Sequence, residues 1–213
     1  PCTTINKVCG SSLKAVMIGA TEIKAGLADV IIAGGMESMS NVPRYISEVE
    51  NGVEITHDKL DSLMINDGLK DAFSGEMMGN TGETIALELE IDRKLADEYA
   101  LRSHTLAHQA WEKGWFDEEV VNIKEIESDE GIRRDCSIDS LSKLRPVFDK
   151  EGVVTAGNSS QLSDGAAAVM ICSKAAAIKF GFPIHCSIVD YVTSGVEPSR
   201  VMRTGEVRVT ALA

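Results

Sequence analysis

A cysteine stands where an extended segment turns into a helix. Cys9 lies inside Asn6-Lys7-Val8-Cys9-Gly10-Ser11-Ser12-Leu13-Lys14-Ala15, just after Thr3-Thr4-Ile5. The first turn of a helix exposes unpaired N–H groups and carries about half a positive charge. A thiol of ordinary pKa is only slightly ionised at neutral pH, and helix starts lower thiol pKa values. Gly10 removes a side chain beside the sulfur, so a substrate carbonyl could approach closely. The pattern admits two readings of Cys9: a nucleophile, or a buried cysteine that only packs, since cysteine is among the most buried residue types.

Two other constellations carry weaker chemistry. His104 and His108 share one helix face at i, i+4 spacing, as metal-binding pairs do. No Glu follows His104 as in HExxH and no third ligand is near, so the pair reads as incidental and no metal is expected. Gly34-Gly35 lacks GxGxxG spacing and is no dinucleotide fingerprint.

The elements that must position Cys9 follow from periodicity. Leu13, Val16, Met17, Ala20 and Ile23 predict a helix over 11–25, closed by Gly26. The apolar run 29–35 predicts a strand buried on both faces, as in parallel sheets covered by helices. Residues 1–35 thus read as strand, helix, strand. Beyond 36 charge rises and Gly and Asn recur. Asn80-x-x-Glu83 predicts a capping box opening a helix through Leu89. A second helix is predicted over 94–113 with Gly114 as its stop, and 119–126 reads as an exposed strand before an acidic block at 125–130. This stretch, to about 148, reads as an insertion into an α/β core. From Gly152 the core texture returns. Strands are predicted over 153–158, 166–172 (buried) and 184–192, with Ser173 capping a helix over 174–180.

The chain has 213 residues, 44% hydrophobic and 25% charged, enough for a large domain with a substantial insertion. Aromatics are only 5%, so the core must be built from aliphatic side chains. The net charge of -12 argues against general nucleic-acid binding, though not against a phosphate-bearing ligand held by a few arginines. Cys2, Cys9, Cys136, Cys172 and Cys186 are odd in number and lack CxxC spacing, which predicts a reducing compartment without disulfides or zinc. No apolar run approaches about 18 residues, so no membrane span is expected and the cytoplasm is the expected location. The start at Pro1, without an initiator Met, predicts a processed or truncated piece.

The stretch NKVCGSSLKA, followed by AGGMESMSNVP, closely resembles the thiolase family. The likeness continues through Asp67-Gly68-Leu69, Met78-Gly79-Asn80-Thr81, Lys143-Leu144-Arg145-Pro146-Val147-Phe148, Thr155-Ala156-Gly157-Asn158-Ser159-Ser160 and Asp164-Gly165-Ala166-Ala167. The resemblance implies a partial, thiolase-like layered α/β core with an inserted α+β loop domain. Residues 1–38 would carry the nucleophile and 39–162 the loop domain; 163–183 would return to the first core domain and 184–213 begin the second. It also implies that Cys9 takes an acyl group from a thioester. Coenzyme A would be a substrate rather than a tightly bound cofactor. Arg133 matches a position near its nucleotide, Ala156 and Ser160 match contacts to the pantetheine arm, and Leu69, Met78 and Phe148 match the tunnel lining. A long, mostly uncharged arm suits an apolar channel with a few polar contacts. On residue type alone, Arg133 reads equally as a solvated partner of Asp129 or Glu130, and Met78 as ordinary core packing.

The resemblance implies acetyl-CoA C-acetyltransferase chemistry, two acetyl-CoA to acetoacetyl-CoA and CoA or the reverse, in a homo-dimer or homo-tetramer. A 3-ketoacyl-CoA thiolase of longer chain preference is the alternative within the family, and a non-catalytic CoA-binding or oligomerisation module the alternative outside it. The family's later elements, an Asn in NEAF, a His in GHP and a second Cys in CxGGG, have no counterpart in these residues. The chain by itself is therefore expected to be inactive.

Overall fold

The computed structural model describes residues 1–45 and 61–201. These form two units by contact. One holds 1–45, 61–72 and 163–195, the other 73–162 and 196–201.

In the first unit helix α1 (Ser11–Lys24) packs on a two-stranded antiparallel ladder of β1 (Val30–Ser38) and β4 (Asp164–Cys172), which runs in register from Val30 opposite Cys172 to Ser38 opposite Asp164. The contact is made by small residues: Gly19 and Ala20 are buried in α1, and Ala33 in β1. A Cβ on Gly19 would lie 2.7 Å from Ile171 Cδ1 and 3.1 Å from Ile31 Cγ2, so a larger residue would have to displace these isoleucine side chains for helix and sheet to stay this close. A Cβ on Gly35 would likewise collide with Ser12 Oγ, which seats the first turn of α1 against β1 three residues from Cys9. Gly26, at φ +72°, closes α1 in the left-handed conformation as expected. The short strands β2 (Arg44–Tyr45) and β3 (Asp61–Ser62) pair antiparallel, followed by a π-helical stretch Met64–Leu69. Helix α5 (Lys174–Phe180) starts at Ser173, whose hydroxyl accepts from the Ala176 amide at 3.1 Å.

The second unit is built on α2 (Met78–Glu88), α3 (Arg93–Glu112) and the short α4 (Ile138–Ser142). Ile85, Ala86, Ala110 and Leu141 are buried with Thr81, Asp97 and Thr155. Gly114, at φ +67°, follows α3. Among the described residues no helix is long and apolar enough to cross a membrane.

The structure differs from the sequence expectations at several points. Residues 3–5 form no strand; in that region only Lys7 and Cys9 make an isolated bridge. β1 pairs antiparallel rather than parallel. α1 covers one face, while Ile32, Met36 and Met170 stay exposed on the other, so 29–35 and 166–172 are not buried on both sides. The 119–126 strand is replaced by turns. Ile123 and Ile126 exchange both backbone hydrogen bonds around Lys124, at φ +55°, which folds the segment on itself. Helix α2 begins earlier than predicted: Asn80 Oδ1 accepts from the Met77 amide at 3.2 Å, serving as the third helical residue rather than the cap. Over 153–158 only an isolated bridge of Thr155 with Pro146 forms, with the Val154 carbonyl accepting from the Val147 amide at 3.0 Å, and side chains take the segment's own amides. Glu83 accepts from Val153 and Val154 at 2.8 and 2.9 Å, and Asn158 Oδ1 from Thr155 at 2.7 Å. Residues 184–192 join no ladder, although Tyr191 reaches α1, with its hydroxyl 2.6 Å from Thr21 Oγ1.

Candidate functional site

Cys9 sits exposed in a turn locked by its neighbours' side chains. Ser11 Oγ accepts from the Lys7 amide at 2.8 Å and donates to the Val8 carbonyl at 2.6 Å. Asn6 Oδ1 accepts from the Val8 amide at 2.8 Å. Between these braces Val8 adopts φ +48°. A β-branched residue in the left-handed region is an outlier costing about 1–3 kcal/mol, sustained only where surrounding bonds over-determine it. That strain lies immediately before Cys9, at the entry to α1. Gly10 is the N-cap and supplies no side-chain bond, so the first-turn amides of α1 have no side-chain cap. Sequence reasoning singled out Cys9 and missed the brace. Asn6 and Ser11 are turn-forming types that bond locally to backbone, and this was the available signal.

The other candidates divide between the units. Leu69 is half-buried at the end of the π-helical stretch of the first unit, with Cys9. Met78, Arg133, Phe148, Ala156 and Ser160 belong to the second. There Phe148 packs its ring directly on Gly79, where a Cβ would fall on the ring atoms, so it lies beside the first turn of α2 that Met78 opens. Ala156 and Ser160 are exposed; Ala156 lies within the turn of Thr155-Ala156-Gly157-Asn158 and Ser160 two residues beyond it. Arg133 is exposed and, among the described residues, forms no ion pair within 4.0 Å. Its amide donates to His104 Nδ1 at 3.2 Å, and Asp129 instead accepts from Trp111 Nε1 at 3.4 Å. His108 Nδ1 faces Glu112 at 3.9 Å. Among the described residues no three His, Cys, Asp or Glu side chains are grouped to hold a metal ion.

A cavity of about 710 Å³ opens beside α2, lined in part by Phe148, Thr84 and Val153. Glu76, Glu83, Glu90, Asp92, Asp149 and Glu151 also line it, with no Lys or Arg. Phosphate groups would be repelled there, so this cavity does not suit the nucleotide end of coenzyme A. Of the six coenzyme A candidates only Phe148 touches it.

Two titratable groups are displaced from their ordinary values. Burial, then the neighbouring Asp135 carboxylate, pushes the Cys136 thiol up, against an opposing pull from Arg133. The Ser40 hydroxyl and then the Ser40 amide, the latter at 2.9 Å, donate to Asp164 and hold its carboxyl below the usual range. This clamp ties Met39–Asn41 to the end of the β1–β4 ladder.

A braced cysteine turn ahead of a helix, seated through Gly35 on the middle of β1, lies where the motif resemblance placed the nucleophile; the paired glycines are internal to the strand rather than its end. The family model described as thiolase, N-terminal domain, matches residues 1–175, and the chain belongs to the thiolase family. Relatives it resembles include acetyl-CoA acetyltransferases. It is 43% identical over 211 residues to that of Rhizobium meliloti, covering 95% of this chain and 53% of the relative. It is 41% identical over 222 residues to that of Pseudomonas aeruginosa, covering 100% and 56%. The crystal structure of the Bacillus anthracis acetyl-CoA acetyltransferase superposes with TM-score 0.83 at 37% identity, over 92% of this chain and 52% of that one. The fold is therefore a partial α/β thiolase fold, and the chain spans about half the length of the curated relatives it matches.

Proposed function

We propose that this chain carries the nucleophile and part of the coenzyme A site of a thiolase-type acetyl-CoA C-acetyltransferase. The observation that carries the reading is Cys9, exposed in a braced and strained turn at the start of α1. The names of the relatives, acetyl-CoA acetyltransferases at 41–43% identity, support the substrate class. In this reading the Cys9 thiolate attacks the thioester carbonyl of acetyl-CoA. The carbon–sulfur bond to coenzyme A breaks, CoA leaves as thiolate and takes up a proton, and acetyl-Cys9 remains. Leu69, Met78 and Phe148 line the path of the arm, Ala156 and Ser160 contact pantetheine, and exposed Arg133 is free to meet a phosphate. CoA is a substrate here, not a resident cofactor. Residues 1–38 and 163–183 belong to the first core domain, 39–162 to the loop domain and 184–213 to the second. The working protein is a cytoplasmic homo-dimer or homo-tetramer.

The test is acylation. The chain is incubated with acetyl-CoA and its peptides are mapped by mass. One acetyl group on the Cys9 peptide, absent in Cys9→Ala, is the expected result. Acetylation spread over all cysteines, or saturable CoA binding with Cys9 unmodified, would refute the nucleophile and favour a non-catalytic binding module.

A further inference from the structure

The turn that displays Ala156 and Ser160 is held from beneath by a residue with no assigned role. We propose that Asp97 is a positioning residue for this turn: through Asn158 it fixes the conformation in which Ala156 and Ser160 would meet the carrier arm of a thioester substrate. The inference rests on the reading of those two residues given above.

Asp97 lies in the second turn of α3 and is 2% exposed. Both carboxylate oxygens are engaged. Oδ2 accepts from Arg93 Nε at 2.8 Å and Oδ1 from Asn158 Nδ2 at 3.0 Å. Arg93 is anchored in turn, donating to the Leu141 carbonyl at 2.5 Å. Asn158 passes the constraint on: Nδ2 also donates to the Val153 carbonyl at 2.8 Å, and Oδ1 accepts from the Thr155 amide at 2.7 Å. Thr155, with no exposed surface, returns Oγ1 to the amides of Gly157 and Asn158 at 3.2 and 3.3 Å. Its carbonyl accepts from Ser159 Oγ at 2.6 Å.

This segment has no strand ladder, so these side chains satisfy backbone groups that a strand would otherwise pair. A buried network of this kind specifies one arrangement only while every member is paired. A carboxylate is the group that can accept on both sides at once. An amide in its place would turn an N–H towards either Arg93 or Asn158, both of which donate.

The wild-type chain, Asp97→Asn, Asn158→Asp and the double variant Asp97→Asn/Asn158→Asp are compared by residue-resolved amide exchange and by calorimetric titration with CoA. Asn158→Asp sets two carboxylates against each other. The amides of Thr155, Gly157 and Asn158 should then exchange at least about tenfold faster while α2 and α3 keep their protection, and CoA affinity should fall about tenfold or more. The double variant puts a donor back between positions 97 and 158 but leaves the Val153 carbonyl facing a carboxylate oxygen, so it should recover the part of both losses that comes from the two facing carboxylates and not the whole. Unchanged exchange at these amides in Asn158→Asp, or a double variant that exchanges as fast as Asn158→Asp, would overturn the proposal. If Asn158→Asp unfolds α3, Asp97→Asn decides by the same amides: faster exchange with α3 intact supports the role, and unchanged exchange overturns it. Absence of CoA binding by the wild-type chain would refute the site reading, and the exchange data would still decide whether Asp97 holds the turn.

Discussion

Gly79→Ala tests the packing that presents Phe148. Gly79 is the second residue of α2, and an added Cβ would fall on the Phe148 ring. The obstacle is a rigid aromatic ring rather than the tip of a flexible chain, so the ring must swing aside as a whole. Overpacking of this kind costs about 1–3 kcal/mol. Against it stands the gain from replacing glycine by alanine in a helix, up to about 1 kcal/mol and smaller in the first turn. The net expectation for Gly79→Ala is a loss of about 0–2.5 kcal/mol. The double-mutant cycle is sharper. With Phe148→Ala in the background the obstacle is gone, and Gly79→Ala should become stabilising by about 0.5–1 kcal/mol. The sign should therefore reverse, with a coupling of about 1–3 kcal/mol. Because the chain forms two units, a single global transition is not assumed, and stability is read from native-state exchange of the α2 amides. A coupling below about 0.5 kcal/mol, or the same sign in both backgrounds, would refute the reasoning.

Three further outcomes are expected. The Cys136 thiol, raised by burial and by Asp135, should alkylate with iodoacetamide only at higher pH than an ordinary thiol; Asp135→Asn should lower that midpoint and Arg133→Ala raise it further, as read by mass spectrometry across a pH series. The Asp164 carboxyl is depressed by Ser40, so the clamp stabilises the fold above the ordinary carboxylate value and is lost as pH falls through its depressed one. The protection factor of the Ser40 amide, its exchange corrected for the intrinsic fall in rate with pH, should drop on acidification, and in Ser40→Ala the Asp164 titration seen by carboxyl NMR should return towards the ordinary value; a titration unmoved by that substitution would remove Ser40 as the cause. Finally, the 213-residue chain alone should not consume acetoacetyl-CoA in the presence of CoA, because abstraction or return of an α-proton needs a placed base and no counterpart of the NEAF, GHP and CxGGG elements is among its residues; turnover abolished by Cys9→Ala would sink that expectation.

What was legible in the sequence was local. The helix over 11–25 and its glycine stop, the helix over 94–113 with Gly114, and the Ser173 cap are written in apolar spacing and terminal residues within a few positions, and the structure has α1, α3 and α5 there. Cys9 at a helix start was legible for the same reason. Pairing was not. The run 29–35 shows that a strand is apolar, but not that Val30 lies opposite Cys172, nor that one face stays open in these residues.

The segments read as strands and found irregular, 119–126 and 153–158, fail for a shared physical reason. Apolar alternation describes where side chains could point, whereas a strand exists only if its amides find partners on another backbone. At 153–158 those partners are Glu83 and Asn158. Neither announces itself: Glu83 reads as half of a capping box, and the Asp97 carboxylate that anchors Asn158 is buried beside Arg93, which no motif in the sequence marks. The turn carrying Cys9 follows the same rule, with Asn6 and Ser11 taking backbone groups and holding Val8 in a conformation it would not adopt unaided. In both places irregular backbone is made definite by short polar side chains, and such backbone can offer a sulfur, a methyl or a hydroxyl to a ligand in a way that a continuous ladder cannot.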